Sequence, residues 1–274
     1  MRIVIILTLA IVLVLFNAAR RFFRVQTGIP LIEAERYRDC GNGQRPSRLR
    51  IQLENAGLSF GERVALHPLS LELTEHRIGV IGLNGSGKTS FARLIAGLAK
   101  STSGKILIDG LDWAEDSDAL RGRIGFIFQN PGHQIILPVI EDDVALGLKS
   151  RGVKGPEVSR RVGAVLQRFG IEDLARRRPH ELSGGQLQLA ALAAVTVTEP
   201  DLLLFDEPTN QLDLRNRAIV KDTIADLAEQ AIVVSHDLDL VAGFERVLVF
   251  HEGRIVFDGW GHEAIRFYCE LAGC

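Results

Sequence analysis

One stretch, RIGVIGLNGSGKT over 77–89, constrains the fold of this chain more than any other. A short apolar run, RIGVIG, enters a glycine-rich turn, and a helical pattern follows through FARLIAGL at 91–98. From Gly82 to Thr89 the spacing is G-x-x-x-x-G-K-[ST]. Glycines let the backbone fold with its N–H groups pointing inward around a phosphate. The positive end of the following helix adds to that attraction. Asn84, Gly85, Ser86, Gly87, Lys88, Thr89 and Ser90 are therefore the candidate binders of a phosphorylated ligand. Lys88 is placed to reach the β- and γ-phosphates, and Thr89 to hold Mg²⁺ through its hydroxyl.

A strand before this loop and a helix after it imply an α/β chain, and the remaining pattern agrees. Strand candidates are RLRIQLENAGLSF (48–60), LSLELT (69–74), KILIDG (105–110), IGFIFQ (124–129), LLLFDE (202–207), AIVVSH (231–236), RVLVFHE (246–252) and RIVFDG (254–259). Helical stretches lie at 157–169, 184–197 and 215–229. Continuous apolar runs alternating with helices predict a largely parallel sheet covered on both faces. The early alternating strands predict an added antiparallel β layer. A length of 274 residues is ample for a core. The net charge of −2 gives no sign of a nucleic-acid partner. Cys40, Cys269 and Cys274 are too scattered for a disulfide framework or a zinc site.

The first residues differ from the rest. Residues 3–16, IVIILTLAIVLVLF, are apolar except for Thr8, with Arg2 before them and Arg20, Arg21 and Arg24 after. The run is short for a spanning helix, which needs about 20 residues. Two readings stand: a membrane anchor that keeps the following domain in the cytoplasm, or a segment upstream of the true start. Residues 25–49 carry Gly28, Pro30, Gly41, Gly43 and Pro46 and read as a linker. The expected organisation is thus an apolar segment at 1–24, a linker at 25–49 and one folded domain at 50–274.

Further motifs sharpen the chemistry. Asp206 ends an apolar strand, where a carboxylate can bind Mg²⁺ through water, and Glu207 follows, placed to polarise an attacking water. Ser183-Gly184-Gly185-Gln186 opens a helix, with Ser183 as a natural N-cap and free N–H groups for a second anion. Taken alone, that segment could be only a cap and a turn.

The set GLNGSGKTS, FQNP, LSGGQ, LLLFDEPT and VVSHD, in this order, resembles an ABC-type ATPase domain over about residues 50–258. The resemblance implies a P-loop NTPase fold with a largely parallel sheet, an antiparallel β layer and a helical signature subdomain. It implies ATP and Mg²⁺ as ligands, and a second ATPase subunit, identical or a close paralogue, facing the first head to tail. ATP would then lie between Lys88 of one subunit and Ser183, Gly184, Gly185 and Gln186 of the other. Phe60 matches the aromatic residue that stacks on adenine, Asp213 the loop that crosses the dimer interface, and His236 the histidine that contacts the γ-phosphate. Gln129 matches the strand-end glutamine that meets Mg²⁺ and the attacking water, and residues 130–140 would relay that state to a membrane partner. Glu207, His236 and Gln129 are the implied catalytic residues; Thr89, Gln129 and Asp206 are the implied metal ligands.

FQNPGHQIILPVIEDDVALGL is similar to the energy-coupling factor importers, with Gln134, Asp143, Val144, Ala145 and Gly147 matching and Leu146 replacing the usual aromatic residue. Within that class the phosphate loop, DEPTNQLDLRN and FERVLVF most resemble the ATPases of biotin importers. The implied partners are a transmembrane coupling subunit and a substrate-binding membrane subunit, and the implied place is the cytoplasmic face of the membrane. Cobalt or nickel import is the alternative within the class. A non-transport ATPase acting on ribosomes or DNA is the alternative outside it, against which stand a single domain and no heptad run.

Overall fold

A computed structural model describes residues 48–273. The apolar segment over 1–24 and residues 25–47 of the expected linker lie outside the described residues. Leu49, at the end of that linker, is already packed in the core, so the ordered chain is under way before residue 50.

Two sheets form the frame. Strands β1 (Ile51–Phe60), β2 (Arg63–Leu73), β4 (Ser103–Ile108) and β5 (Leu111–Asp112) make an antiparallel sheet in the order β2-β1-β4-β5. The second sheet has the order β10-β9-β3-β8-β7-β6. Its strands are β3 (Arg77–Gly82), β6 (Ile124–Ile127), β7 (Leu202–Asp206), β8 (Gln230–Val234), β9 (Arg246–His251) and β10 (Arg254–Gly259). All are parallel except β10, which returns antiparallel on β9. The β2 strand starts six residues earlier than the alternation at 69–74 suggests, because the turn at Gly61 pairs Phe60 directly with Arg63.

The apolar runs are continuous because both faces of this sheet are buried. Alternate residues serve different cores. Ile78, Val80, Leu202, Leu204, Ile232, Val234, Leu248 and Phe250 face the antiparallel sheet and helix α1 (Lys88–Ile95). Ile81, Leu203, Phe205, Ala231, Val233, Val247 and Val249 face the opposite side. After the short helix α2 (Ser117–Leu120), a third core holds a helical unit built from α3 (Ile140–Ser150), α4 (Pro156–Arg168) and α5 (Gly184–Thr196). On the far face of the sheet lie α6 (Leu214–Ala225), α7 (Leu238–Val241) and α8 (Gly261–Ala272).

The helix expected at 215–229 stops at Ala225. The buried Arg77 guanidinium donates to the carbonyls of Ala225, Leu227 and Glu229, which can no longer serve a helical ladder.

Candidate functional site

The phosphate loop leaves β3 at Gly82 and closes into α1 at Lys88. Two glycines make this path possible. Gly82 has φ 147° and a Cβ there would lie 2.2 Å from the Phe250 carbonyl oxygen. Gly87 has φ 104°, and a Cβ would lie 2.7 Å from the Ala65 oxygen. The tip of the β9–β10 hairpin braces the loop from outside: Gly253 N–H donates to the Ser86 carbonyl at 2.9 Å, and His67 N–H to the Gly253 carbonyl at 2.9 Å.

A cavity of about 690 Å³ opens over the loop. Asn84, Gly85, Ser86, Gly87, Lys88, Thr89 and Ser90 line it together with Phe60, Val64, Gln129, Glu207 and His236. That volume suits a nucleotide-sized ligand. Phe60, which lines the cavity, is exposed.

The charged groups at the loop are tightly held. Lys88 is buried, and its Nζ donates to the carbonyls of Gly82 at 2.8 Å and Leu83 at 3.0 Å. Burial lowers its pKa, against the pull of Glu207 and Asp206. Thr89 Oγ1 donates to Asp206 Oδ1 at 2.9 Å. Burial raises the Asp206 pKa, opposed by that hydrogen bond and by Arg93 and Lys88. The Ser86 hydroxyl is buried with no hydrogen-bond partner, and faces the loop interior where an anion would supply one. A hydroxyl, a carboxylate and an amide carbonyl, from Thr89, Asp206 and Gln129, make an all-oxygen set that fits Mg²⁺.

Glu207 sits at φ 55°, in the left-handed region that a non-glycine residue enters at a cost of about 1 kcal/mol or more. Two bonds keep it there: its own N–H donates to the Val234 carbonyl at 2.9 Å, and its Oε2 accepts from His236 N–H at 3.0 Å. The His236 Nε2 lies 3.1 Å from Glu207 Oε1. Burial raises the Glu207 pKa, and the backbone hydrogen bond and Lys88 oppose it. Burial and then Lys88 lower the His236 pKa, so this imidazole tends to be neutral. The pair joins a carboxylate of raised basicity to a ring that can donate or accept.

Ser183, Gly184, Gly185, Gln186 and Asp213 are not part of this cavity. They form a separate face. Ser183 and Gln186 make a reciprocal cap: Ser183 N–H donates to Gln186 Oε1 at 2.9 Å, and Gln186 N–H to Ser183 Oγ at 3.3 Å. Asp213 caps α6, its Oδ1 accepting from Asn216 N–H at 2.8 Å. Gln134 joins the two regions. Its Oε1 accepts from Phe128 N–H at 3.2 Å, and its Nε2 donates to the Ala191 carbonyl of α5 at 3.2 Å. Arg63, Asn210 and Glu252 also line the cavity, and no motif spacing marked them. Glu252 was partly findable: HEGR between two strands signals a two-residue hairpin, whose tip has to point somewhere.

The family model described as ABC transporter matches residues 66–210. The chain belongs to the ABC transporter family. As such it is an ATP-binding, ATP-hydrolysing subunit. It is 59% identical over 224 residues to the biotin transport ATP-binding protein BioM of Rhizobium etli, covering 82% of this chain and 100% of that one. Among solved structures, cbiO1 of Clostridium perfringens, described as part of the ABC transporter complex cbiONQ, matches with TM-score 0.71 and 28% identity. That match covers 81% of this chain and 94% of the other. The ATP-binding cassette MJ0796, a dimer bound to ADP and Pi in a post-hydrolysis state, matches with TM-score 0.68 and 28% identity over 77% of this chain and 98% of that one. Among the described residues no helix of this ABC ATPase is long and apolar enough to cross a membrane.

Proposed function

We propose that this chain is the ATPase subunit of an energy-coupling factor importer whose cargo is biotin. The observation that carries the cargo is the 59% identity to a biotin transport ATP-binding protein along that protein's whole length. The catalytic reading is carried by the Glu207–His236 pair above the phosphate loop.

Lys88 and the loop N–H groups hold the β- and γ-phosphates, and Phe60 carries the adenine. Thr89, Asp206 and Gln129 hold Mg²⁺, which neutralises charge on the phosphate oxygens when bound. Glu207 orients a water in line with the γ-phosphorus and takes its proton as the new P–O bond forms and the bond to the β-phosphate oxygen breaks. Its raised pKa suits a proton acceptor. His236 holds Glu207 in place through its backbone N–H and presents its ring to the γ-phosphate. The face carrying Ser183, Gly184, Gly185 and Gln186 completes the same site on a second copy or a close paralogue, with Asp213 beside the seam. A transmembrane coupling subunit and a substrate-binding membrane subunit complete the importer, with this chain at the cytoplasmic face. Residues 130–140 connect Gln129 to that partner.

The cargo and the chemistry are tested together by labelled-biotin uptake in cells lacking the gene. The wild-type chain restores uptake and Glu207→Gln does not, while the variant accumulates as an ATP-bound dimer. Restored cobalt or nickel uptake without biotin uptake would replace the cargo and leave the ATPase in place.

A further inference from the structure

The first turn of α6 touches two parts of the machinery at once. Asp213 caps it with both carboxylate oxygens: Oδ1 accepts from Asn216 N–H at 2.8 Å and Oδ2 from the Asn216 side-chain amide at 2.9 Å. Asn216 in turn packs on the signature segment, so closely that a Cβ on Gly185 would lie 2.4 Å from its Oδ1. The next residue, Arg217, points elsewhere. Its Nε lies 3.6 Å from Oδ2 of Asp237, the residue directly after His236. The Asp237 side chain is 7% exposed.

Arg217 Nε and Asp237 Oδ2 are both buried, and neither has a hydrogen-bond partner. The Arg217 side chain as a whole is 42% exposed, but its Nε faces the Asp237 oxygen just outside bonding range, and a shift of about half an ångström would join them. Asp237 is otherwise braced by its N–H to Ser235 Oγ at 2.9 Å, which folds the loop at His236 into a tight turn. The Asp237 backbone adjoins that of His236, whose N–H is the donor that orients Glu207, so an anchor on the Asp237 side chain bears on that donor through one peptide link.

We infer that Arg217 is a positioning residue for hydrolysis: it anchors Asp237 and so sets the loop that carries His236. Because Arg217 follows Asp213 and Asn216 on one helical turn, it also ties the placement of the Asp213 loop and the signature glycine to the histidine. Arginine suits the task, since its planar fork keeps its charge and direction when partly buried. The inference rests on the reading of His236 as a group at the γ-phosphate.

The test is steady-state ATP hydrolysis by the full chain in its complex, for Arg217→Met, Arg217→Lys, Asp237→Asn and His236→Ala. Arg217→Met is expected to lower kcat by about 10- to 100-fold, the size that small misplacements cause. KM for ATP is expected to stay within a factor of two or so. Arg217→Lys, which retains the charge, recovers most of the loss. Arg217→Met with Asp237→Asn is expected to be no worse than the poorer single variant, as for two members of one unit. Should Arg217→Met fail to fold, Asp237→Asn carries the same kcat test. Wild-type kcat in Arg217→Met or Asp237→Asn, with His236→Ala inactive, would overturn the role of Arg217 and leave that of His236. Full activity in His236→Ala would remove the histidine from the chemistry and the inference with it. A raised KM with unchanged kcat, for Met and Lys alike, would mark a contact that serves ATP binding and not the placement of His236, and would also overturn it.

Discussion

The phosphate loop and the signature segment of this chain are built to opposite designs. At the phosphate loop the charges are buried and bonded inside the chain: Lys88 to two carbonyls, Thr89 to Asp206, Glu207 to the backbone of His236. At the signature segment Ser183 and Gly184 are exposed, and the Ser183 and Gln186 side chains are bonded only to each other's backbone. The first region lines a cavity with the groups proposed for hydrolysis, whereas the second is a capped helix end outside that cavity. A capping box satisfies N–H groups cheaply while leaving the helix dipole available. If the signature face serves a second subunit, as proposed above, binding and hydrolysis are separable: one chain holds nucleotide, and a facing surface turns it over.

The largest expected effect breaks this comparison most directly. Lys88→Ala removes a buried cation from the phosphates, and both ATP binding and hydrolysis should fall, hydrolysis by about 10³-fold. Ser183→Arg should also reduce hydrolysis by about 10²- to 10³-fold. It should leave ATP affinity of the single chain unchanged, because Ser183 lies outside the cavity. Nucleotide binding by fluorescence, set beside phosphate release, separates the two. Weakened binding to the isolated Ser183→Arg chain would mean that the two regions are one site, and the distinction would fall.

The same contrast explains what the sequence could disclose. The placement of contiguous motifs was legible: Gly82–Thr89 and Ser183–Gln186 fall where their spacing places them, one on a strand-to-helix turn and one at a helix start. The sheet was legible because each parallel strand feeds two cores and is therefore apolar through its middle. Helix α3 was not found by periodicity. Its apolar spacing, Ile140, Val144 and Leu148, is present but thin, among three acidic residues in its first turn. Contacts between distant residues left no spacing at all. The bracing of Ser86 by Gly253, the link from Gln134 to Ala191 and the pull of Arg77 on the end of α6 depend on where strands meet. Glu207 lies between: its place after β7 could be read, but its left-handed backbone and its two anchoring bonds could not.

A smaller effect sharpens the signature side. The two glycines there are not equivalent. A Cβ on Gly184 would lie 3.2 Å from the Leu212 Cδ2 methyl group, the far end of a flexible side chain. A Cβ on Gly185 would lie 2.4 Å from Asn216 Oδ1 and 2.7 Å from Asn216 Cβ, which cannot swing away. Alanine is the better helix former by about 1 kcal/mol, so the two terms oppose each other at Gly185. Overpacking of about 1–3 kcal/mol wins there. Gly185→Ala should therefore lower Tm by a few degrees, and Gly184→Ala should be neutral or slightly stabilising. Thermal melts of the two variants decide it, and equal effects would show that Asn216 does not wedge against the signature helix.

The smallest effect concerns stability on the loop side and turns on sign. Burial raises the Glu207 pKa above its unfolded value, so the folded chain favours the protonated form. The stabilisation linked to that preference is fully present below the unfolded pKa, about 4.3, and is lost as pH rises through the higher folded pKa. At neutral pH the folded chain therefore carries a buried carboxylate that unfolding would relieve. Glu207→Gln removes the charge while keeping an acceptor for His236 N–H, so it should raise the Tm of the nucleotide-free chain at pH 7. That gain should shrink toward zero as pH falls to about 4, where the wild-type carboxyl is itself protonated. Asp206, also raised by burial, titrates in both proteins, and its charge adds to the rise at Glu207. A Tm difference that stays constant with pH would mean that Glu207 is stabilised by Lys88 and His236 as fully as water would stabilise it. The buried-charge account of the loop side would then fail, even with the residue still indispensable for hydrolysis.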